Sequence, residues 1–366
     1  MPNLLISTKK GLFPVTGTAS GWSVGTPSFL GENVTLAMCD PRDGTWYAAM
    51  NLGHFGVKLK ASKDQGKTWF ECGVPAYAEG ETYATHDENV KGIAKLKLIW
   101  ALEPGHASQP GRLWCGTLPG GLFKSDDLGV TWNLVESLWR VPERKFWFGG
   151  GADQPGIHSI CIDPRDPKII RVAISCGGVW TSIDDGATWA LEGQGLRADF
   201  LPPDQQYSPV SQDAHIMVQC PAEPDRLWIQ HHNGIFVSSD AAKTFTELPH
   251  ATPSVFGFTV AVHPQQGDTA WFVPGVKDEC RVPVKGQFVV SRTTDGGKTF
   301  ETITKGLPQQ PAYDIVYRHA LAIDHTGKTL AMGSTTGGLW TSDDSGDSWS
   351  LNEVRLPPVH AVRFIA

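Results

Sequence analysis

The chain has 366 residues, 40% of them hydrophobic, with 31 Lys and Arg against 38 Asp and Glu for a net charge of −7. That is ample apolar material for a core, and an acidic balance without any basic run argues against nucleic acid or an acidic membrane surface as partner. No apolar run approaches the ~18 residues of a membrane-spanning helix, and 40 Gly, 26 Pro and 14 Trp suit many short strands joined by tight turns better than a helical protein.

From Met1 to Phe13 the apolar stretch is too short for a secretory leader and runs straight into a strand pattern, which points to a cytoplasmic protein. The seven cysteines show neither metal-like nor disulfide-like spacing, in keeping with a reducing compartment, and Cys115, Cys161 and Cys220 sit in apolar strand-like runs as core residues. A strand start of Gly, an apolar residue and usually an aromatic then recurs: Gly11-Leu-Phe13, Gly56-Val57, Gly121-Leu-Phe123, Gly178-Val-Trp180, Gly234-Ile-Phe236, Gly286-Gln-Phe288 and Gly338-Leu-Trp340. The spacing of these seven glycines varies from 45 to 65 residues, as loop insertions into a repeat would produce.

Six of the seven starts lead into a second pattern, Ser/Thr-x-Asp-x-Gly-x-Thr/Ser-Trp/Phe. The copies run Ser62 to Trp69, Ser125 to Trp132, Ser182 to Trp189, Thr293 to Phe300 and Ser342 to Trp349; the copy from Ser238 to Phe245 carries Ala242 in place of Gly. The Asp accepts hydrogen bonds from the turn backbone, the Gly supplies a left-handed position, and the aromatic plugs the space between neighbouring sheets. The first unit keeps a strand and Trp22 but no box. A complete unit reads as four strands, as in Val34–Cys39, Thr45–Asn51, Val57–Ala61 and Thr68–Cys72, with turns such as Asp40-Pro, Asp163-Pro and His263-Pro joining the first strand to the second. Unit one lacks its innermost strand, and the C-terminal run Val359 to Ile365 lacks a sheet. The expected architecture is an all-β, seven-bladed β-propeller occupying residues 1–366 as one domain, its ring closed by the C-terminal strand pairing into the N-terminal blade.

The boxes resemble the Asp box of the BNR-repeat propellers, a group that includes sialidases and other glycoside hydrolases. The resemblance implies carbohydrate chemistry on a seven-bladed ring, although the chain contains no Arg-Ile-Pro triplet of the sialidases. Asp-box propellers that hydrolyse xyloglucan place two seven-bladed domains around a cleft, whereas this chain has repeats for one. Some seven-bladed propellers are polysaccharide lyases that use His and Tyr, and photosystem assembly factors share the repeat pattern.

The boxes lie at one face of such a ring, and the starts of the innermost strands open at the other. Sorting side chains this way puts His106, His263 and His325 on the box face. His54, His86, His158, His215, His231, His232, His319 and His360 fall on the opposite face, with Lys9, Lys10, Asp87, Glu88, Lys91, Asp153, Asp213, Lys277, Asp278, Glu279, Arg281, Tyr313, Asp314, Tyr317 and Arg318. Two long links, 138–157 with Trp147 and 196–214 with Phe200, would wall or cover a pocket there. A lone histidine in a strand start is more often structural; the convergence of titratable groups from separate blades on one mouth is what suggests a site.

Three functions fit. One is an enzyme on a small polar, anionic, sugar-like or glycan substrate, a hydrolase or a lyase. A hydrolase would use two carboxylates from Asp153, Asp213, Asp278, Glu279, Asp314 or the pair Asp87 and Glu88. In a lyase, Arg318, Arg281 or Lys277 would neutralise a uronate carboxylate, His158 or His215 would remove the α-proton, and Tyr317 would protonate the leaving oxygen. Lys91, Lys277, Glu279, His54 and Trp147 would help bind the substrate. The second is a metal centre holding Zn or Cu on His158, His215, His231, His232, His319 and His360. The third is a non-catalytic binding or assembly-factor propeller.

Overall fold

The computed structural model describes residues 3–18, 21–87, 89–150 and 152–365. Within them, seven four-stranded antiparallel sheets are arranged as the blades of a propeller. Blade one takes its inner strand, Val359–Ile365, from the C-terminus and its other three, Asn3–Thr8, Gly11–Thr18 and Gly21–Val24, from the N-terminus. The closing pair is antiparallel, with Asn3 opposite Ile365 and Ile6 opposite Val362. Blade two is Val34–Cys39, Trp46–Asn51, Val57–Ser62 and Phe70–Glu71, each boundary within two residues of the sequence expectation. The inner strands of blades three to seven begin at Leu98, Gly156, Ala214, Gly257 and Leu321.

Burial explains the strand composition. Second strands are covered on both faces by neighbouring blades, so Leu113–Leu118 and Ile170–Ser175 are buried throughout. Outer strands shrink to two or three residues, such as Phe70–Glu71 and Ser350–Leu351, which leaves little unpaired edge. Trp114, Trp180, Trp228 and Trp271 fill the seams between blades, each with at most 2% of its surface exposed.

All six boxes form the same turn. In blade four, Ser182 Oγ donates to Asp184 Oδ1 and accepts from Gly186 N–H, both at 2.8 Å, while Asp184 takes the Thr188 N–H at 2.8 Å and the Thr188 hydroxyl at 2.6 Å. The turn needs two successive left-handed residues, Asp185 (φ 60°) and Gly186 (φ 83°). In blade five Ala241 and Ala242 adopt the same angles, φ 65° and 73°, so the lost Gly has not changed the turn. All seven cysteines are free. Among the described residues no helix is long and apolar enough to cross a membrane.

Candidate functional site

One structural device aims side chains at the channel mouth. Near the start of the inner strand in blades one to six, the pairing with the second strand slips by a β-bulge. The extra residue is His360, Thr35, Trp100, His158 and His215 in blades one to five, and the bulge at Phe258-Thr259 serves blade six. A bulged residue leaves the pleat and is free to point along the ring axis. In blade seven a short 3-10 turn, Arg318–Ala320, stands just before the inner strand and presents His319.

All of these positions except His158 and Thr259 line a cavity of about 620 Å³ with walls from every blade, blade four contributing Cys176. That volume suits a ligand of one or two sugar rings. The two long links contribute Phe148, Gly149, Gly150 and Phe200 to the rim. Phe148 and Phe200 meet edge to face at 6.5 Å, and Phe200 lies 5.2 Å from the His232 ring.

Phe258 is the hub of one wall. The His215 ring stacks on it at 4.6 Å, Tyr317 meets it edge-on at 4.7 Å, and the guanidinium of Arg281 lies over it at 5.2 Å. Arg318 lies 4.7 Å from the Trp100 ring and 5.9 Å from that of Phe258, and its Nε has no hydrogen-bond partner among the described residues. Burial lowers the Arg318 pKa, opposed by the negative charge of Asp213. Arg281 binds Asp278 at 2.6 Å.

Asp213, 3% exposed, precedes the inner strand of blade five. Its Oδ1 accepts from Ser175 Oγ at 3.1 Å, and its Oδ2 faces His232 Nδ1 at 3.6 Å and His215 Nε2 at 3.9 Å. Burial raises the Asp213 pKa, opposed by Arg318 and His232. Burial, reinforced by Arg318, holds His215 well below its ordinary value, so its imidazole is neutral. His215 Nδ1 lies 2.7 Å from the Gly257 carbonyl, which fixes the proton on Nδ1 and leaves the lone pair on Nε2. Cys176, in a left-handed conformation (φ 48°), completes this corner.

Of the residues singled out from sequence, the cavity wall brings together Tyr317, Arg318, Arg281, Asp213, Asp278, His215, His232, His319 and His360, with Phe200 at the rim. The others lie elsewhere. His158 is enclosed behind the wall, edge-on to Trp100 at 5.5 Å, and contributes its carbonyl to His319 Nε2 at 2.8 Å. His231 ends the second strand of blade five fully buried, its two ring nitrogens facing the N–H groups of Asp213 and Asn233. Trp147 is buried against Trp180 and under Arg144 rather than open to a ligand. His54 is exposed in the turn Gly53–Phe55, and Lys91 is exposed on the small hairpin Thr82–Ala84/Lys91–Ile93. Lys277 and Glu279 are exposed and pair with each other at 3.4 Å, flanking Asp278 on its loop. Asp153 is exposed off the wall, Asp314 is taken up by Ser334 and Thr336, Asp87 caps its own turn through Asn89, and Glu88 lies outside the described residues.

Sequence reasoning passed over Trp100, Phe258, Thr35 and Cys176. A signal for three of these was present. In blades two to six the bulge residue, and in blade seven His319, stands five positions before the residue that opens the first turn, so counting back from Asp40, Gly105, Asp163, Cys220, His263 and Asp324 gives Thr35, Trp100, His158, His215, Phe258 and His319.

No family model matches the chain. A probable oligoxyloglucan-reducing end-specific xyloglucanase from Neosartorya fischeri is 26% identical over 268 residues, 66% of this chain but only 30% of that protein. Among solved structures, an ancestral GH74 enzyme superposes with a TM-score of 0.59 at 15% identity, covering 88% of this chain and 39% of its own. The GH74 xyloglucanase from Xanthomonas campestris gives 0.56 at 17% identity, covering 88% and 45%. A YCF48 protein bound to a D1 peptide gives 0.53 at 12% identity, covering 87% and 83%. The chain thus spans less than half the length of the GH74 enzymes, and what it shares with these structures is the propeller fold.

Proposed function

We propose that this chain is a carbohydrate-active enzyme that takes a small acidic sugar into the channel mouth and breaks the glycosidic bond beside its carboxylate. The observation that carries the reading is Arg318, a guanidinium set between Trp100 and Phe258 with an unpartnered Nε, and with Arg281 across the same Phe258 ring. Two arginines at one aromatic-walled cavity favour a planar anion, and a uronate offers a carboxylate to them and a C–H face to the rings. The xyloglucanase named among the relatives supports the carbohydrate class.

Elimination uses this wall most fully. A carboxylate neutralised by Arg318 makes the α-carbon proton acidic. A neutral imidazole can take it: the Nε2–H groups of His319 and His360 are held by the His158 carbonyl at 2.8 Å and Asn33 Oδ1 at 2.9 Å, which leaves each Nδ1 with its lone pair. The C–H electrons form the carbon–carbon double bond as the β C–O bond breaks, and the Tyr317 phenol gives its proton to the departing oxygen. Hydrolysis is the second reading, favoured by the presence of two carboxylates, Asp213 and Asp278, on the same wall.

The test is incubation with uronate-containing and neutral oligosaccharides, following the ultraviolet absorbance of an unsaturated uronate and the appearance of reducing ends. The expected result is an unsaturated product from acidic substrates alone. Loss in Arg318→Ala and Tyr317→Phe should be about 100-fold or more in kcat/KM, the scale of removing one positioned donor. Reducing ends without unsaturation would move the chemistry to the aspartates. Saturable binding with no product would make the pocket a recognition site, and neither binding nor turnover would overturn the reading.

A further inference from the structure

We infer that Asp213, His215 and His232 together hold a divalent metal ion of the zinc class at the channel mouth, open to the cavity. The assignment of an acidic sugar as its ligand rests on the function proposed above; the ion itself does not. One donor atom from each residue lies within 4.8 Å of the other two, and the two contacts to Asp213 Oδ2 are 3.6 and 3.9 Å. Around zinc, with bonds of about 2.0–2.1 Å, donors stand roughly 3.0–3.5 Å apart. Closing that gap needs a small rotation, and His232, on a hairpin turn with 26% of its side chain exposed, is the ligand able to supply it.

Each buried ligand is oriented as a metal ligand requires. The Gly257 carbonyl fixes the His215 tautomer, so Nε2 turns its lone pair toward Asp213 Oδ2. Ser175 Oγ occupies Asp213 Oδ1 and leaves Oδ2 for the ion. His231, set aside above as a ligand, has its place here: its Nε2 lies 3.0 Å from the Asp213 N–H and holds the backbone that carries the carboxylate. Two lone-pair donors aimed at one another inside a pocket repel unless a proton or a metal ion stands between them, and at 3.9 Å the space between Asp213 Oδ2 and His215 Nε2 exceeds a hydrogen bond. All three ligands come from blade five or the residue just before its inner strand, so blade movement does not spread them.

Charge decides what the ion would take up. The cavity wall carries two aspartates and two arginines, which cancel; a divalent ion leaves the mouth positive. Two imidazoles and one carboxylate leave coordination positions open toward the cavity. A substrate carboxylate can then bridge the ion and Arg318, which withdraws more charge from the α-carbon than the guanidinium alone.

The experiment uses the full chain, untagged, purified without chelating resin, with metal measured by plasma mass spectrometry. Protein stripped with chelator is then titrated with Zn²⁺, and with Co²⁺ followed by its visible absorbance. We expect about one equivalent of ion per chain and a Co²⁺ spectrum of a mixed nitrogen and oxygen site. His232→Ala and Asp213→Asn should weaken binding by about 100-fold or more, beyond the 10–100-fold typical of losing an outer partner, while His54→Ala on the exposed turn should not. Because His232 is partly exposed, its variant should fold, as circular dichroism would verify. A folded wild-type chain that takes up neither ion at micromolar concentration overturns the inference, as does unchanged affinity in folded His232→Ala. No substrate enters this measurement, so its failure is separate from failure of the acidic-sugar reading.

Discussion

Arg144 is 1% exposed, its guanidinium lies 4.4, 4.6 and 4.7 Å from the rings of Tyr83, Trp139 and Trp147, and none of its three nitrogens has a hydrogen-bond partner among the described residues. Burial pushes its pKa down from 12.5 to about 10, the signature of a cation taken from water. That displacement corresponds to roughly 3 kcal/mol against folding with the charge in place. Three ring contacts of about 0.5–2 kcal/mol each offset it. The two effects nearly cancel, so the arginine serves mainly as volume under the hairpin and the link that reaches the cavity rim. Arg144→Met keeps most of that volume and should leave stability within about 1 kcal/mol of the parent, as swaps of buried charge for apolar side chains often do. Arg144→Ala empties the cage and should cost about 2–4 kcal/mol. Urea denaturation of both variants checks this; a methionine variant as damaged as the alanine one would mean that the charge on the rings, and not the packing, holds the link.

At the scale of strands, the closing pair is the most consequential. Val359, Ala361 and Val362 are buried at 1, 0 and 0%, and a Cβ on Gly333 of blade seven would come within 2.4 Å of the Val359 side chain. Strand Val359–Ile365 is therefore a wedge between blades seven and two as well as the inner strand of blade one. A chain ending before Val359 should lose its single sharp thermal transition; an unchanged melting curve would show that the ring holds without closure. The boxes and strand starts made this ring legible because they are local: one turn's hydrogen bonds and one aromatic plug are written in eight consecutive residues, and they recur. The channel mouth was legible only in part. Position at the start of an inner strand assigns His158 and His215 alike to the cavity mouth, yet the same bulge that accompanies His215 on the wall leaves His158 enclosed, edge-on to Trp100, which takes the wall instead. Trp100 and Phe258 were overlooked because an aromatic in a strand reads as core, and only their offset from the turn separates them from core residues. His231 beside His232 shows the same limit, since one ends a strand facing backbone and the next opens a turn facing the cavity.

For the whole molecule, two populations of titrating groups set the response to acid, and they act in different windows. His158, 1% exposed, is held well below its ordinary 6.5 by burial and then by the positive charge of Arg318, while burial and Arg363 bring His319 down to about 3. Both stay neutral in the fold but take up a proton in the unfolded chain once the pH falls below 6.5. The unfolded state then binds more protons, so the stability these residues permit is complete above 6.5 and declines below it, by up to about 1.4 kcal/mol per pH unit for each. The box carboxylates behave otherwise. Asp64 and Asp295 are lowered from 3.8 to about 2 by the hydroxyls and N–H groups of Thr68 and Thr299. Their contribution is complete above 3.8 and is lost only as the pH falls through about 2. Stability should accordingly fall between pH 6.5 and 4 because of these two histidines, before the boxes begin to protonate, and fall again below pH 3.8. Urea midpoints measured from pH 7.5 to 4 should show the first slope, and His158→Met should reduce it by about one proton's worth, since Met fills the space behind Trp100 without titrating. A stability that is flat from pH 7 to 5 and the same in His158→Met would mean that this ring opens to let its histidines charge, and that acid resistance in the propeller rests on the boxes alone.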